Sequence, residues 1–306
     1  MSYREIVRSQ PVRNQRMNAI ELDLDNPTDL TRALVRIDSV NPDLVPGASG
    51  EAEIATFTNA WLTDRGFEVH TLEATPGRPT IVAVAKGTGG GDSIMLNGHL
   101  DTVSLASYEN NEGLRDRISD GNIYGRGSFD MKSGVAAMMI AAHRAHTNTN
   151  GDHHGDIILT LVADEEYASF GTDEVLAAGF TAQGAIVCEP MNLNVTIAHR
   201  GFLWFEVDIV GKAAHGSRPE LGIDAIVNAG KFLTELGNHG EELLKSEPHE
   251  LLNTGSIHAS TISGGEELSS YPALCTIGIE RRTIPGETRE SCTNQLTKIL
   301  DRLKAE

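Results

Sequence analysis

Side chains that can bind a metal follow several apolar runs of this chain. His99 and Asp101 come shortly after the apolar run at residues 93–96. Residues two apart at the exit of a strand point the same way, so an imidazole and a carboxylate share one side there. This pairing suits a metal ligand and the acid that orients it. A His-X-Asp pair is common, however, and by itself it predicts no site.

Acidic residues at three further points strengthen the case. Glu165 and Glu166 end the apolar run of LTLVADEE, and Glu189 ends that of AIVCEP. Asp130 lies in GRGSFDMKSG, between a glycine-rich turn and a helix, where in isolation an N-cap is the simpler interpretation. Ligands of open α/β sheets bind at the carboxyl ends of strands. Strand ends that all deliver His, Asp or Glu therefore favour a metal site over a set of turns.

The elements that would position these residues alternate between strand and helix patterns. Apolar runs predict strands at residues 67–72, 80–85, 93–96, 157–163 and 185–188. Helical spacing of apolar residues lies between several of them, as at Val135, Met138, Met139 and Ala142. Such alternation with short loops predicts an α/β fold, a mainly parallel sheet with helices on both faces.

The pattern changes near His199. Residues 202–210 alternate as a strand with one wet face, and a helix, two strands and a last helix follow. The order β-α-β-β-α is most of a split βαβ unit, which predicts a second, α+β ferredoxin-like domain. We therefore expect a metal-binding catalytic domain over residues 1–198 and a second domain over residues 199–306.

Composition and charge exclude several classes of protein. The 25 basic and 43 acidic residues give a net charge of −18, which argues against nucleic acid or an anionic membrane surface as partner. Three cysteines indicate reduced thiols and a cytoplasmic protein. The first 20 residues carry four arginines, a faint transit-peptide bias, although a solvated terminus is the favoured interpretation.

The ordered motifs GHLDTV, GRGSFDMKSG, ADEE, CEP and GKAAHGSRPE resemble one metallopeptidase family. It is the family of acetylornithine deacetylase, succinyl-diaminopimelate desuccinylase, aminoacylase and carboxypeptidase G. The resemblance runs from about residue 25 to the last residue and is most specific in the first two motifs.

The resemblance implies two metal ions per subunit, zinc or else cobalt or manganese. Asp130 would bridge them, His99 and Glu189 would bind one, and Glu166 with a further histidine would bind the other. Asp101 would orient His99. Glu165 would be the general base that takes a proton from water and returns it to the leaving amine.

The second domain is, by the same resemblance, a lid through which the family dimerises. His215 in GKAAHGSRPE would reach the partner's active site and stabilise the tetrahedral oxyanion, although a surface histidine is the alternative. Arg282 in RRTIPG would bind a substrate carboxylate, with a surface arginine as the alternative.

Two departures from the family pattern bear on these expectations. Ser269 stands in SSYP where relatives often carry an asparagine, and no histidine follows His258. Relatives return from the lid to the catalytic domain and add a metal-binding histidine. We therefore expect a truncated chain with one incomplete metal site, an incomplete catalytic core and an exposed edge on the lid sheet.

The expected function is metal-dependent hydrolysis of the amide bond of an N-acyl amino acid. A dipeptidase or carboxypeptidase that uses the same site is one alternative. A truncated, non-catalytic remnant that binds one metal or none is another. A small substrate and a homodimer through the lid are the expected partners.

Overall fold

A five-stranded sheet organises the first part of the chain in the computed structural model, which describes residues 22–305. The N-terminal arginines lie outside the described residues. The chain divides into two compact units between Leu193 and Asn194. We call residues 22–193 the N-terminal unit and residues 194–305 the C-terminal unit.

The N-terminal unit contains four α-helices and seven strands among the described residues. Its elements in chain order are α1 (Pro27–Val35), α2 (Ala52–Asp64), β1 (Glu68–Leu72), β2 (Thr80–Ala85), β3 (Ile94–His99), β4 (Arg117–Ser119), β5 (Asn122–Tyr124), α3 (Lys132–Asn148), β6 (Ile157–Val162), α4 (Phe170–Ala177) and β7 (Gly184–Val187). The sheet order is β1-β2-β6-β3-β7, and β4 pairs with β5 as a separate hairpin.

The sheet is mainly parallel, as predicted. Strand β3 runs parallel to both β6 and β7, while β2 is antiparallel to β1 and to β6. Four strands therefore share one direction and β2 opposes them. The carboxyl ends of β3, β6 and β7 meet at one edge of the sheet.

Apolar side chains cover both faces of this sheet. Ile81 and Leu159 face one core together with side chains of α1, α2 and α3, such as Met139. Val82 and Ile158 face a second core that includes Val175 of α4. Burial on both faces explains why β2 and β6 are continuous apolar runs rather than alternating ones.

The C-terminal unit is an α+β structure. Its elements are β8 (Gly201–Val210), β9 (Ala214–His215), α5 (Ala225–Leu244), β10 (Ser256–Gly264), β11 (Ser270–Tyr271), β12 (Leu274–Thr283) and α6 (Arg289–Ala305). Strand β12 lies between β10 and β8 in an antiparallel sheet. Phe232 of α5, Ile277 of β12 and Leu296 of α6 lie in the core of this unit.

Several predicted boundaries shift in the structure. The strand predicted at residues 93–96 extends to His99, because residues 97–99 still pair with β6. The pair β4–β5 was not predicted. None of the helices among residues 22–305 is long and apolar enough to cross a membrane.

Candidate metal centre

Three strand ends bring the predicted site residues together. His99 is the last residue of β3, Glu165 and Glu166 follow β6, and Glu189 follows β7. Asp130 precedes α3 and completes the cluster. The ligand atoms of His99, Asp130 and Glu166 lie within 4.8 Å of one another, as do those of His99, Glu165 and Glu189.

His99 belongs to both of these groups. Its Nε2 atom lies 3.1 Å from Asp130 Oδ1, 3.7 Å from Glu165 Oε2 and 3.8 Å from Glu189 Oε1. The imidazole is only 1% exposed, whereas the Asp130 side chain is 52% exposed. The histidine therefore forms the floor of the cluster, and the site opens to solvent on the Asp130 side.

Asp101 holds the opposite side of the His99 ring. The Nδ1 atom of His99 lies 2.9 Å from the carbonyl oxygen of Asp101 and 3.4 Å from its Oδ1. The carboxylate of Asp101 also accepts hydrogen bonds from the backbone N–H groups of Glu165 and Glu166, both at 3.1 Å. One buried carboxylate thus fixes both the imidazole and the turn that carries the two glutamates.

A tight packing contact places Asp130 and Glu189 beside each other. A Cβ atom on Gly134, in the first turn of α3, would lie 2.3 Å from the carbonyl oxygen of Cys188. Only glycine allows α3 to approach the end of β7 this closely. Asp130 is not the N-cap of α3, because that position is occupied by Met131.

The electrostatics of the cluster favour cations. Burial raises the pKa of Glu166 and of Glu189 to about 7, and the neighbouring carboxylates add to this effect. Burial by itself would lower the pKa of His99. The hydrogen bonds to Asp101 and Asp130 outweigh it and hold that pKa well above its ordinary value. The side chains therefore retain protons that a metal ion would displace.

The donor set fits a divalent metal. Four carboxylates and one imidazole nitrogen converge here, and His99 Nε2 lies within 3.8 Å of carboxylate oxygens of Asp130, Glu165 and Glu189. Imidazole with carboxylate oxygens suits zinc, cobalt or manganese. The groups seen here place Glu166 with His99 and Asp130, so they do not reproduce the predicted sorting of ligands between two ions, which stays a prediction.

Sequence reasoning missed a buried polar network behind Asp101. Asn41, Glu51, Arg78 and Asp164 are each at most 5% exposed and are joined to one another and to Asp101 by hydrogen bonds. These residues are scattered over the chain, in loops and at a helix start. Of these four residues, only Asp164 has a local signal in the sequence, because it directly precedes Glu165 and Glu166.

The two predicted site residues of the C-terminal unit have local partners of their own. His215 is exposed on β9, with Nδ1 2.8 Å from the hydroxyl of Ser217. The Arg282 guanidinium on β12 lies 3.3 Å from Glu280 and 5.6 Å from the ring centre of Phe202.

The sequence is similar to known proteins over most of its length. Residues 197–306 match the model of the peptidase dimerisation domain. The chain is 30% identical over 270 residues to an acetylornithine deacetylase of Myxococcus xanthus, covering 86% of this chain and 67% of that one. It is 26% identical to an N-formyl-4-amino-5-aminomethyl-2-methylpyrimidine deformylase of Bacillus subtilis, covering 84% of this chain and 64% of that one.

Solved structures share the fold. An M20 family metallo-carboxypeptidase of Sulfolobus solfataricus superposes with a TM-score of 0.69 at 16% identity, covering 91% of this chain and 76% of that one. A dinuclear metal-binding M20 peptidase of Bacillus subtilis gives 0.59 at 16% identity, covering 91% and 69%. The chain belongs to the M20 family of metal-dependent peptidases and amidohydrolases.

Proposed function

We propose that this protein hydrolyses the amide bond of an N-acyl amino acid at a metal centre formed by His99, Asp130, Glu166 and Glu189. The observation that carries the proposal is the convergence of these ligand atoms, with those of Glu165, at the carboxyl edge of the sheet. The buried floor and the open Asp130 side give a substrate a route to them.

The metal ions would polarise the substrate carbonyl and lower the pKa of water. The dinuclear peptidase of the same fold supports two ions per subunit, and zinc is the ion we propose, with cobalt or manganese as substitutes. Asp101 holds the His99 ring so that Nε2 faces the site.

Glu165 is the proposed general base. Its carboxylate is 45% exposed and lies 3.7 Å from His99 Nε2, at the open side of the cluster. It takes a proton from the attacking water as the oxygen bonds to the carbonyl carbon. It then gives that proton to the amide nitrogen as the carbon–nitrogen bond breaks, which yields a carboxylic acid and a free amine.

An acyl group on nitrogen is the substrate feature that the relatives support. The two curated relatives named above are a deacetylase and a deformylase, and both names describe removal of an acyl group. A dipeptidase reaction would use the same atoms, since a peptide bond is also an amide.

The C-terminal unit is the proposed dimerisation domain, on the basis of its match to the peptidase dimerisation model. We propose that His215 stabilises the oxyanion in the active site of a second copy and that Arg282 binds the carboxylate of the substrate. The cytoplasm is the proposed location, supported by the three unpaired cysteines.

A substrate panel on the zinc-loaded chain tests the proposal. We expect release of free amine from N-acetyl and N-formyl amino acids, and loss of that release in Glu165→Gln. Faster turnover of dipeptides would favour the dipeptidase alternative. No turnover of either class, with zinc bound, would favour the non-catalytic alternative.

A further inference from the structure

We propose that Asn41 and Arg78 are positioning residues of this centre, holding the Glu165–Glu166 turn against Asp101 through Asp164. The inference rests on the proposed function, because the turn and Asp101 matter only if the cluster is the working site. The hydrogen bonds that carry the inference join these two residues to Asp101, Asp164 and Glu51. Their effect would pass through two buried carboxylates.

Asn41 bridges those two carboxylates with one amide group. Its Nδ2 atom donates to Asp101 Oδ2 at 2.7 Å and to Asp164 Oδ1 at 2.9 Å. Its Oδ1 accepts the backbone N–H of Asp43 at 2.9 Å. The orientation of the amide is fixed by chemistry, because carboxylates accept and do not donate. Both N–H groups of Asn41 are therefore used, and Asn41 itself is fully buried.

Arg78 anchors the far end of this bridge. Its Nη2 atom lies 3.1 Å from Asp164 Oδ1 and 2.7 Å from Glu51 Oε1, and its Nε donates to Glu51 Oε2. Its Nη1 reaches Asp43 at 2.7 Å. The guanidinium is 5% exposed, and its planar fork binds Glu51 bidentately. One cation thus neutralises carboxylates that would otherwise repel one another in a buried region.

Asp164 connects this network to the turn that carries Glu165 and Glu166. Its backbone has a φ of +64°, an uncommon conformation for a residue with a side chain. Its Oδ2 accepts the N–H of Ala168 and its carbonyl accepts that of Ser169, which closes the turn. Its own N–H donates to Glu51. The turn therefore depends on partners that Asn41 and Arg78 hold in place.

Asp101 joins the hydrogen bonds of Asn41 to those of the Glu165–Glu166 turn. This carboxylate accepts from Asn41 and from the N–H groups of Glu165 and Glu166. Asp101 is fully buried, and its Oδ1 also lies 3.4 Å from His99 Nδ1. Without the Asn41 donor, Asp101 and Asp164 would face each other with no hydrogen atom between them.

Hydrogen exchange and zinc affinity test the proposal on the full chain. In Asn41→Ala we expect the amides of Glu165 and Glu166 to exchange about tenfold faster in the metal-free protein. We expect zinc affinity to fall by about 10- to 100-fold, the usual effect of losing a residue that orients ligands. Peptides of β2 and β6 should keep their protection.

Matched controls separate positioning from general stability. Asn97→Ala removes a partly buried asparagine whose Nδ2 donates to Thr160 instead of to a carboxylate of the network. Arg32→Lys is the control for Arg78→Lys, since Arg32 pairs with Asp29 and Asp116, away from the cluster. Both controls should bind zinc within about twofold of the parent, while Arg78→Lys should lose affinity because lysine lacks the fork.

The outcomes distinguish this inference from the proposed function. If Asn41→Ala keeps parental exchange at Glu165 and Glu166 and parental zinc affinity, the positioning role is wrong. If the parent itself binds no zinc, the proposed function fails, and the exchange of the two amides still decides whether Asn41 holds the turn. Should Asn41→Ala fail to fold, Asn41→Asp takes its place, because aspartate has the shape of asparagine but cannot supply both donors. The same changes in amide exchange and zinc affinity are expected.

Discussion

Glu165 and Glu166 are adjacent, yet the proposed chemistry gives them different tasks. The backbone N–H groups of both residues donate to Asp101, which holds the single turn that carries the two side chains. Each glutamate belongs to a different ligand group around His99: Glu166 lies with Asp130, and Glu165 lies with Glu189. Substitution of each glutamate distinguishes the general base from the metal ligand.

Replacing each glutamate by glutamine makes that separation. We expect Glu165→Gln to lower kcat by about 10²- to 10⁴-fold, the usual contribution of a general base, with zinc content unchanged. We expect Glu166→Gln to lose zinc as well as activity. Elemental analysis and steady-state kinetics on both variants measure this. Zinc loss in Glu165→Gln and not in Glu166→Gln would mean that the two roles are reversed.

The raised pKa values of Glu166 and Glu189 predict a pH-dependent metal affinity. Both pKa values are about 7, above the value of 4.5 for a free glutamate side chain. Folding of the metal-free chain therefore takes up protons, and these two groups make the free energy of unfolding fall as pH rises from about 4.5 to 7. Zinc competes with the same protons, so affinity should increase from pH 6 to pH 8.

Titration calorimetry in buffers of different ionisation enthalpy measures this effect. We expect zinc to release more protons per ion at pH 6 than at pH 8. Equal release at the two pH values would show that the two glutamates do not exchange protons for metal.

At the scale of elements, apolar patterning predicted the sheet well. The runs at β2 and β6 are buried along their whole length and were recognised directly. The last residues of β3 were not, because Asn97, Gly98 and His99 do not look like a strand although they pair with β6. The reversed direction of β2 is decided by pairing across the sheet, which no local pattern records.

The candidate site likewise contains residues that the sequence indicates and residues that it does not. The five ligand candidates stand next to strand or helix ends, where a local signal exists. Asn41 and Arg78 have no such signal, since the carboxylates that accept their side-chain N–H groups lie 60 to 123 residues from Asn41 and 27 to 86 residues from Arg78 in sequence. Long-range contacts of loop residues could not be predicted from the chain alone.

The close approach of α3 to the end of β7 gives a prediction at this scale. Gly134→Ala places a methyl group against the Cys188 carbonyl and should cost about 1–3 kcal/mol of unfolding free energy, with weaker zinc binding. Gly230→Ala is the control, because that position of α5 has nothing within 4 Å. It should stabilise by about 0.5–1 kcal/mol through helix propensity. Denaturant unfolding of both variants measures the change in unfolding free energy. Equal changes in the two variants would contradict the packing argument.

At the scale of the whole molecule, the candidate ligands all lie before residue 194. The C-terminal unit has a core of its own, built from α5, α6 and β12. Zinc should therefore slow hydrogen exchange in peptides of the N-terminal unit and leave those of the C-terminal unit unchanged. At 100 times Kd the expected stabilisation is about 2.7 kcal/mol. Equal protection of both units would mean that metal binding is not confined to the cluster at His99.

The central claim is that His99 and the surrounding carboxylates bind divalent metal. The most direct test is the zinc content per chain after saturation and desalting, for the parent, for His99→Ala and for His215→Ala as control. Because His99 belongs to both ligand groups, we expect one or two zinc ions in the parent and in His215→Ala, and none in His99→Ala. A parent chain without zinc, or His99→Ala with parental zinc, would contradict the account.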